Sequence, residues 1–586
     1  MNEPLEATID DCAREPIHLA GAIQPHGYLI SCSRADWTVQ HVSANIEALF
    51  GAPPEEIIGR PLRELIQDDV LQIIGDTVAS SESGDTARRA GAANIGDMAS
   101  VCDLTAHVDG DLLHLEIEPQ PRQIEPQPRR NRQDSASGVA QSMMASVGAS
   151  DDPADLYQRS AEQVRLLTGF DRVMIYRFRH DDSGEVIAES CSDDLEPYLG
   201  LRYPASDIPP QARELYLRNR LRVIPDVGYA PVRLVPPLSA NGAPLDLSQH
   251  VLRSVSPMHL EYLRNMGVAA SMSISIVSGG RLWGLIACHH SIPRLVPSAV
   301  RAAADLFGMF VSMRVSAREH QEMLARYESA QLVRDALAER LSLANDFDTA
   351  LVEELALLAR ALDSDGAVLW QGGQWHASGR APGSTDPRPL LEWLRRQEQP
   401  LVAMTEHAED WSVPSLQAQG LAGVMAIHLG VADDWLFVFR TEQIEQVRWA
   451  GEPNKAIVVT DDGQRIAPRK SFATWRETVR GHCIPWTDGD RRGAERLRRV
   501  LLDQRRRAFA PARDASDIVS QRHRQALADQ MQRLDQIATR LNGLVHLDDA
   551  QTTRIGMQIA QLEVDLAGLM RGSTSGSANP SEPIDA

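Results

Sequence analysis

The sequence predicts an α+β multidomain protein: three units, each an antiparallel sheet flanked by helices, with a long interdomain helix and a C-terminal helical dimerisation segment. Three observations carry this. At 586 residues the chain exceeds a single core, since a domain typically takes about 150 residues. Strand-like and helix-like runs alternate through most of it, with turn signals between neighbouring strands, as antiparallel pairing requires. Residues 297–346 and 510–571 instead keep a helical pattern for tens of residues.

Composition excludes several function classes. Hydrophobic residues make up 43% and charged residues 24%, ordinary for soluble globular material. No apolar run approaches the roughly 20 residues of a bilayer span, so no membrane association is expected. The opening MNEPLEATIDD is acidic where a secretory signal is basic and then apolar, which predicts a cytoplasmic protein. A net charge of −21 argues against nucleic acid, whose binding needs a basic surface. Cys12, Cys32, Cys102, Cys191, Cys288 and Cys483 lie far apart without a CxxC pair, which excludes a disulfide framework and a structural zinc site and predicts mostly buried free thiols.

Residues 15–125 form the first unit, with strand-like HGYLISCS and HLEIE and helix-like ANIEALFG and LRELI. A tandem duplication, IEPQPRQ (117–123) then IEPQPRR (124–130), followed by NRQDSAS, reads as an extended linker. The second unit, 139–310, holds the strand RVMIYRF and the hairpin ASMSISIVSGGRLWGLIAC, turned by Gly279-Gly280. In that hairpin Ser271, Ser273 and Ser275 alternate with Met272, Ile274 and Ile276, giving one polar face suited to solvent or to a polar ligand group. From 297 to 346 a single proline and a single glycine permit one long helix. The third unit, 325–505, contains KAIVVTDDGQRIAPR, two strands around Asp462-Gly463. In 510–571, Leu527, Met531, Leu534, Ala538, Leu541 and Val545, then Ile555, Ile559, Leu562, Leu566 and Leu569, step by fours and threes as paired bundle helices do. The tail 572–586 is compositionally disordered.

The chemistry concentrates in LRYPASDIPPQARELYLRNRLRVIPDV, residues 201–227. Pro209 biases Ile208 away from helix, so Asp207 sits on a rigid extended turn before QARELYLRN. Such a carboxylate either serves a ligand bearing N–H donors or only caps the helix. In CHH, neighbouring side chains of a strand point to opposite faces, so Cys288, His289 and His290 do not form one site and no metal is expected. Arg218, Arg220 and the arginines of RRGAERLRRVLLDQRRR read as solvated helix faces.

PASDIP resembles the signature of the phytochromes, red-light receptors that bind a linear tetrapyrrole. The resemblance extends through DCAREPIHLAGAIQPHG, SPMHLEYLRNMGV, LWGLIACHH, WAGEP and PRKSF, separated motifs in the family's order. It implies an N-terminal arm (1–14) carrying the chromophore cysteine, then PAS (15–125), GAF (139–310) and PHY (325–505) domains, the last with a tongue at about 440–480. The PAS and GAF domains are then knotted, with Ile23 at the crossing.

Bacterial members attach biliverdin through a thioether to a cysteine ahead of the PAS domain, and Cys12 occupies that place. The alternative GAF attachment position holds Met258, so the resemblance implies covalent biliverdin IXα at Cys12. It further implies that the Asp207 backbone carbonyl, with His259 nearby, faces the pyrrole N–H groups. Arg222 and Arg253 clamp one propionate, by the fork geometry that suits carboxylates. Ser271 and Ser273 hold the other, helped by Tyr216 and Ser256. His289 meets the D-ring carbonyl, which turns among Met174, Tyr176, Tyr198 and Tyr203. Ile208, Pro209 and Tyr262 complete the implied set.

In the tongue, Trp449, Pro468, Arg469, Ser471 and Phe472 are the implied switch. Arg469 pairs with the Asp207 side chain in one state and Ser471 replaces it in the other, as strand exchanges for helix. The expected function is red/far-red photoreception, with photoconversion between Pr and Pfr and signal transfer through the tongue and a helical homodimer to a downstream protein the sequence does not name. The alternative is the photosensory part of a light-regulated histidine kinase whose catalytic domain is missing from this chain. No glycine-rich ATP lid and no His-Glu box follow residue 510, and His523 and His546 read as solvated helix positions, so enzyme activity is not expected. A cyclic-nucleotide sensor is disfavoured by Cys12 with Asp207.

Overall fold

The computed structural model describes residues 15–79, 87–96, 101–120, 136–148, 152–383, 386–397, 400–411, 420–430, 434–453, 457–460, 463–466 and 471–508, the backbone alone for 457–460 and 463–466. The arm with Cys12, most of the duplicated linker, the helices expected at 510–571 with His523 and His546, and the tail lie outside them.

The first sheet has seven strands, in the order Ala22–Ile23, Val232–Val235, Val39–Ser43, Tyr28–Ser33, Leu112–Pro119, Val101–Asp109, Arg88–Asn94. Alternation builds its core: Cys102, Leu104, Ala106 and Val108 face the same cluster as Leu113, Leu115 and Ile117. The opposite face of that hairpin carries Asp103, His107, His114, Glu116 and Glu118, and these are buried as well: Arg89 and Gln120 hold Asp103, and residues of the second unit meet the other four.

Strand Val232–Val235 comes from the second unit, a departure from two units separated by a linker. It pairs with Ala22–Ile23 on one side and with Val42 and Ser43 on the other. On their far side Ala22 accepts from the Ser254 N–H at 2.9 Å, and the Gln24 N–H donates to the Leu252 carbonyl at 2.7 Å. Ile23, wholly buried, is therefore held between two arms of one loop.

The second sheet has eight strands: Leu221–Ile224, Ala270–Ser278, Arg281–His290, Arg172–Phe178, Gly184–Cys191, Arg202–Tyr203, Glu445–Ala450 and Thr474–Val479. Gly279 and Gly280, with φ of 56° and 75°, turn the expected hairpin; two successive positive φ values favour glycine there. The last two strands belong to the third unit and join this sheet's edge, where Trp449 pairs with Arg202 in parallel.

One helix, Ser298–Leu343, runs 46 residues, about 70 Å at 1.5 Å per residue. Phe307, Val311 and Val315 enter the second unit's core, and Leu337 and Leu341 the third's. A single rod is thus packed into two cores. The third unit's five-stranded sheet, Gln374–Gly379, Gly366–Gln371, Trp435–Thr441, Leu421–His428, Val402–Thr405, packs against this helix and Asp488–Ala508. Ile457–Thr460 and Gly463–Ile466 form the hairpin expected around Asp462-Gly463. Of the described cysteines, Cys32, Cys102, Cys288 and Cys483 are buried, Cys191 is half-buried, and all five are free thiols. No helix among the described residues is long and apolar enough to cross a membrane.

Candidate functional site

A cavity with about 1660 Å³ of empty space, part of it open to solvent, lies on one face of the second sheet beneath helices Pro210–Arg218 and Pro257–Asn265. Register aligns its floor. Arg222 pairs with Ser273, Ser273 with Ala287 and Ala287 with Met174, so these four residues form one row across four strands. Ser271 and His289 pair in the next row pointing the same way. The serine alternation read in the sequence is therefore a cavity wall.

Two guanidiniums converge at one end. Arg222 donates to the carbonyls of Val251 and Arg253, and Arg253 donates to the Ile17 carbonyl at 3.1 Å. They are 9% and 8% exposed. Neither forms an ion pair with a carboxylate among the described residues, and Nε of Arg253 has no hydrogen-bond partner there. Burial, then repulsion from Arg222, lowers Arg253 to about 9, and burial lowers Arg222. Two nearby buried cations whose partners among the described residues are carbonyls call for an anionic ligand.

Asp207 lies in the 3₁₀ turn Ala205–Asp207. The following helix has Pro209 as its N-cap, without a side-chain cap, so Asp207 does not cap it. Its Oδ2 instead accepts from the Tyr262 hydroxyl at 3.0 Å. Helix Pro257–Asn265 sets His259 and Tyr262 with ring centroids 6.1 Å apart. Burial pushes His259 down to about 4, aided by Arg222. It pushes His289 to about 3, aided by Arg172 and His259. Both rings are therefore neutral near pH 7, and Nδ1 of His289 is buried without a partner among the described residues. The cavity thus offers cations, hydroxyls, neutral imidazoles and aromatic walls to a long, mostly apolar, anionic ligand.

Of the expected residues, Met174, Tyr176, Tyr203, Asp207, Ile208 and Pro209 line the cavity, as do Tyr216, Arg222, Arg253 and Ser256. His259, Tyr262, Ser271, Ser273 and His289 also line it, and so does Met258. Tyr198 packs with the wall residues Met174, Tyr176 and Tyr203 in one apolar cluster. Its ring lies under the Arg172 guanidinium, 3.5 Å away, and its N–H donates to Glu189. Of the expected tongue residues, Phe472 packs edge-on against Tyr262 at 5.2 Å, and Trp449 donates to Glu477 at 2.7 Å. Ser471 accepts from the Ala473 N–H. Cys12, Pro468 and Arg469 lie outside the described residues.

Sequence reasoning missed Glu15, Ile17, Val186, Leu215 and Met266, which also line the cavity. Glu15 accepts from the Ser256 hydroxyl at 2.9 Å. Its signal was present, three residues after Cys12 in a charged stretch, but nothing local points it at a serine 241 positions away.

Similarity to known proteins agrees with this arrangement. Three family profiles match in order: the PAS fold at residues 12–120, the GAF domain at 152–315 and the phytochrome region, PHY, at 330–508. A bacteriophytochrome of Pseudomonas aeruginosa is 39% identical over 514 residues, 86% of this chain and 67% of that protein. The chain belongs to the bacteriophytochromes.

A second bacteriophytochrome, from Xanthomonas campestris, is 34% identical over 86% of this bacteriophytochrome and 79% of its own length. The photosensory core module of a Stigmatella aurantiaca phytochrome superposes with a TM-score of 0.71 at 36% identity, covering 86% of this chain and 99% of that one. This bacteriophytochrome spans about two thirds of the length of the Pseudomonas protein and of a cyanobacterial phytochrome B from Nostoc, 67% and 66%.

Proposed function

We propose that this bacteriophytochrome is a red/far-red photoreceptor whose cavity holds biliverdin IXα, attached as a thioether to Cys12. The observation that carries this is the convergence of Arg222 and Arg253, unpaired with carboxylate among the described residues, on a cavity also lined by Ser271, Ser273, Asp207 and His289. Biliverdin fits that donor set, with two carboxylates for the arginines and serines, ring N–H groups for the Asp207 carbonyl, and a terminal carbonyl for His289. When bound it supplies light absorption and a double bond that isomerises. The arginines would anchor the propionate end, His259 would lie beside the ring nitrogens, and Met174, Tyr176 and Tyr203 would leave the far ring room to turn.

Glu15 lines this cavity, and three extended residues span at most about 10 Å, so Cys12 is within reach of a vinyl group held there. Ile23 would mark the knot crossing, with the arm at 1–14, PAS at 15–125, GAF at 139–310 and PHY at 325–505 as the working division. The tongue would switch by exchanging Arg469 for Ser471 at Asp207. Leu306, Met309, Met313, Met323, Leu324 and Tyr327, exposed along the long helix, repeat at spacings that suit a homodimer seam.

Zinc-induced fluorescence of the denatured, biliverdin-loaded chain tests attachment. A fluorescent band that disappears in Cys12→Ser supports it; no band, or one that survives the substitution, overturns it. Absorption spectra in darkness and after red and far-red light test photoconversion. Because the chain spans about two thirds of its relatives' length, the second reading is the photosensory part of a light-regulated histidine kinase. Autophosphorylation from ATP by the isolated chain would show that kinase activity resides here.

A further inference from the structure

Three histidines meet at the junction of the first two units, away from the cavity. His107 and His114 stand opposite each other across the hairpin of Val101–Asp109 and Leu112–Pro119, on the face turned from the core. His250 arrives from the loop between Val232–Val235 and Pro257–Asn265. The rings of His107 and His114 stack at 4.7 Å, and His250 meets them edge-on at 4.5 and 4.8 Å. All three are buried, and each offers a ring nitrogen within 4.8 Å of the others.

The hydrogen bonding around them is incomplete. Ser31 Oγ lies 2.8 Å from Nδ1 of His114, so Nε2 is the nitrogen of that ring that faces the other two histidines without a partner among the described residues. That Nε2, Nδ1 of His107 and both nitrogens of His250 are buried without partners among the described residues. Buried polar atoms are ordinarily satisfied, so four such nitrogens in one cluster point to a missing ligand.

We propose that His107, His114 and His250 bind one zinc-class transition-metal cation, which clips the loop of the second unit to the sheet of the first. Three imidazoles without a carboxylate or thiolate disfavour Mg²⁺ and Ca²⁺, which take oxygen ligands, and suit Zn²⁺, Ni²⁺ and Cu²⁺. With Nδ1–H of His114 donating to Ser31 Oγ, Nε2 would carry the lone pair for the metal, as outer hydrogen bonds arrange for metal-binding histidines. Zn–N bonds of about 2.0–2.1 Å require the rings to draw together and the stacked His107 and His114 rings to turn so that their in-plane lone pairs converge, with water as the fourth ligand. The neutral rings that ligation needs are consistent with burial, which lowers all three from the usual 6.5.

The clip would join positions 136 residues apart, and it has a neighbour. Glu116, two residues beyond His114 on the same face, accepts from the N–H groups of Val251 and Leu252 at 3.2 and 2.7 Å. Arg253 follows directly and reaches the cavity. Metal occupancy would thus stiffen the segment that aims one cavity arginine.

The test is titration of the full chain, free of bilin and stripped by chelator, with Co²⁺ and then Zn²⁺. One equivalent of Co²⁺ should give tetrahedral d–d bands without thiolate charge transfer. Zn²⁺ should displace it and raise the thermal midpoint. The bands should vanish in His114→Gln and in His250→Gln, weaken in Ser31→Ala, and persist in His180→Gln, a surface control. Failure of the unaltered chain to bind near one equivalent overturns the proposal without any variant. Bands that survive in the triple His107→Gln, His114→Gln, His250→Gln chain overturn it as well.

Discussion

The Tyr262 hydroxyl donates to the Asp207 carboxylate across 3.0 Å, while the same ring stands perpendicular to Phe472 of the third unit at 5.2 Å. One side chain thus touches both the cavity's carboxylate and Phe472, in the segment proposed as the tongue. A hydrogen bond to a charged group contributes about 1.5–3 kcal/mol, enough to bias two tongue arrangements separated by a few kcal/mol. Tyr262→Phe should keep the ring contact and move the dark equilibrium away from the strand-paired arrangement by about tenfold or more. Tyr262→Ala should move it further. Absorbance of the dark-adapted, biliverdin-loaded chain reads this ratio, and identical spectra for all three proteins would break the link.

Arg253 is expected to trade stability for binding. Its lowering to about 9 by burial and by Arg222 means that the folded, ligand-free chain disfavours its charge. Arg253→Met should therefore raise the thermal midpoint of the ligand-free protein, although the bond to the Ile17 carbonyl is lost, and weaken biliverdin binding by about tenfold or more. Calorimetry and spectrophotometric titration separate the two effects. A lowered midpoint together with unchanged binding would show that Arg253 is structural.

Acid should unfold the ligand-free chain. His26, His259 and His289 lie near 4, 4 and 3 when folded, against 6.5 when exposed. The unfolded state therefore binds more protons between those values. The stability these neutral rings contribute is complete above pH 6.5 and declines below it, by about 1.4 kcal/mol per pH unit for each ring. Glu116 opposes them: raised to about 7 by burial, it favours the folded state most below 4.5 and loses that contribution between 4.5 and 7. Three or more imidazoles outweigh one carboxyl, so the urea midpoint should fall from pH 7 to pH 5. A flat profile would mean that the rings are protonated in the folded chain.

Gly184 sits where any Cβ would overlap the Tyr176 ring, and it opens the strand paired to Tyr176's own. Gly184→Ala should push that ring into the cavity. The main absorption band of the biliverdin-loaded protein should broaden and lose intensity, while the cooperative unfolding transition of the ligand-free protein changes little. An unaltered spectrum would place the Tyr176 ring away from the chromophore.

Much of the site was legible because its residues come in short coherent runs. Ser271 and Ser273 alternate along one strand, Asp207 precedes two prolines, and His289 follows a cysteine whose side chain must point the other way. Period-two alternation and proline stiffness act over a few residues, so a sequence states them directly. The sequence does not show that Tyr198 meets the Arg172–Glu189 pair, 3.1 Å apart, while packing with Met174, Tyr176 and Tyr203, because those partners lie on separate strands.

The sequence by itself determined the hairpin at Gly279-Gly280, the long helix from Ser298, the three-unit order and the polar strand face, all products of local backbone preference and hydrophobic period. Only the tertiary structure decided that Val232–Val235 pairs in the first unit's sheet and that Glu445–Ala450 pairs in the second's. It alone buried the face bearing His107, His114, Glu116 and Glu118. By alternation that face reads as solvent-exposed, because pattern distinguishes the two sides of a sheet and does not reveal what will cover the second one. The cover comes from residues more than a hundred positions away, and register between such distant segments is set by packing complementarity, which no local window contains.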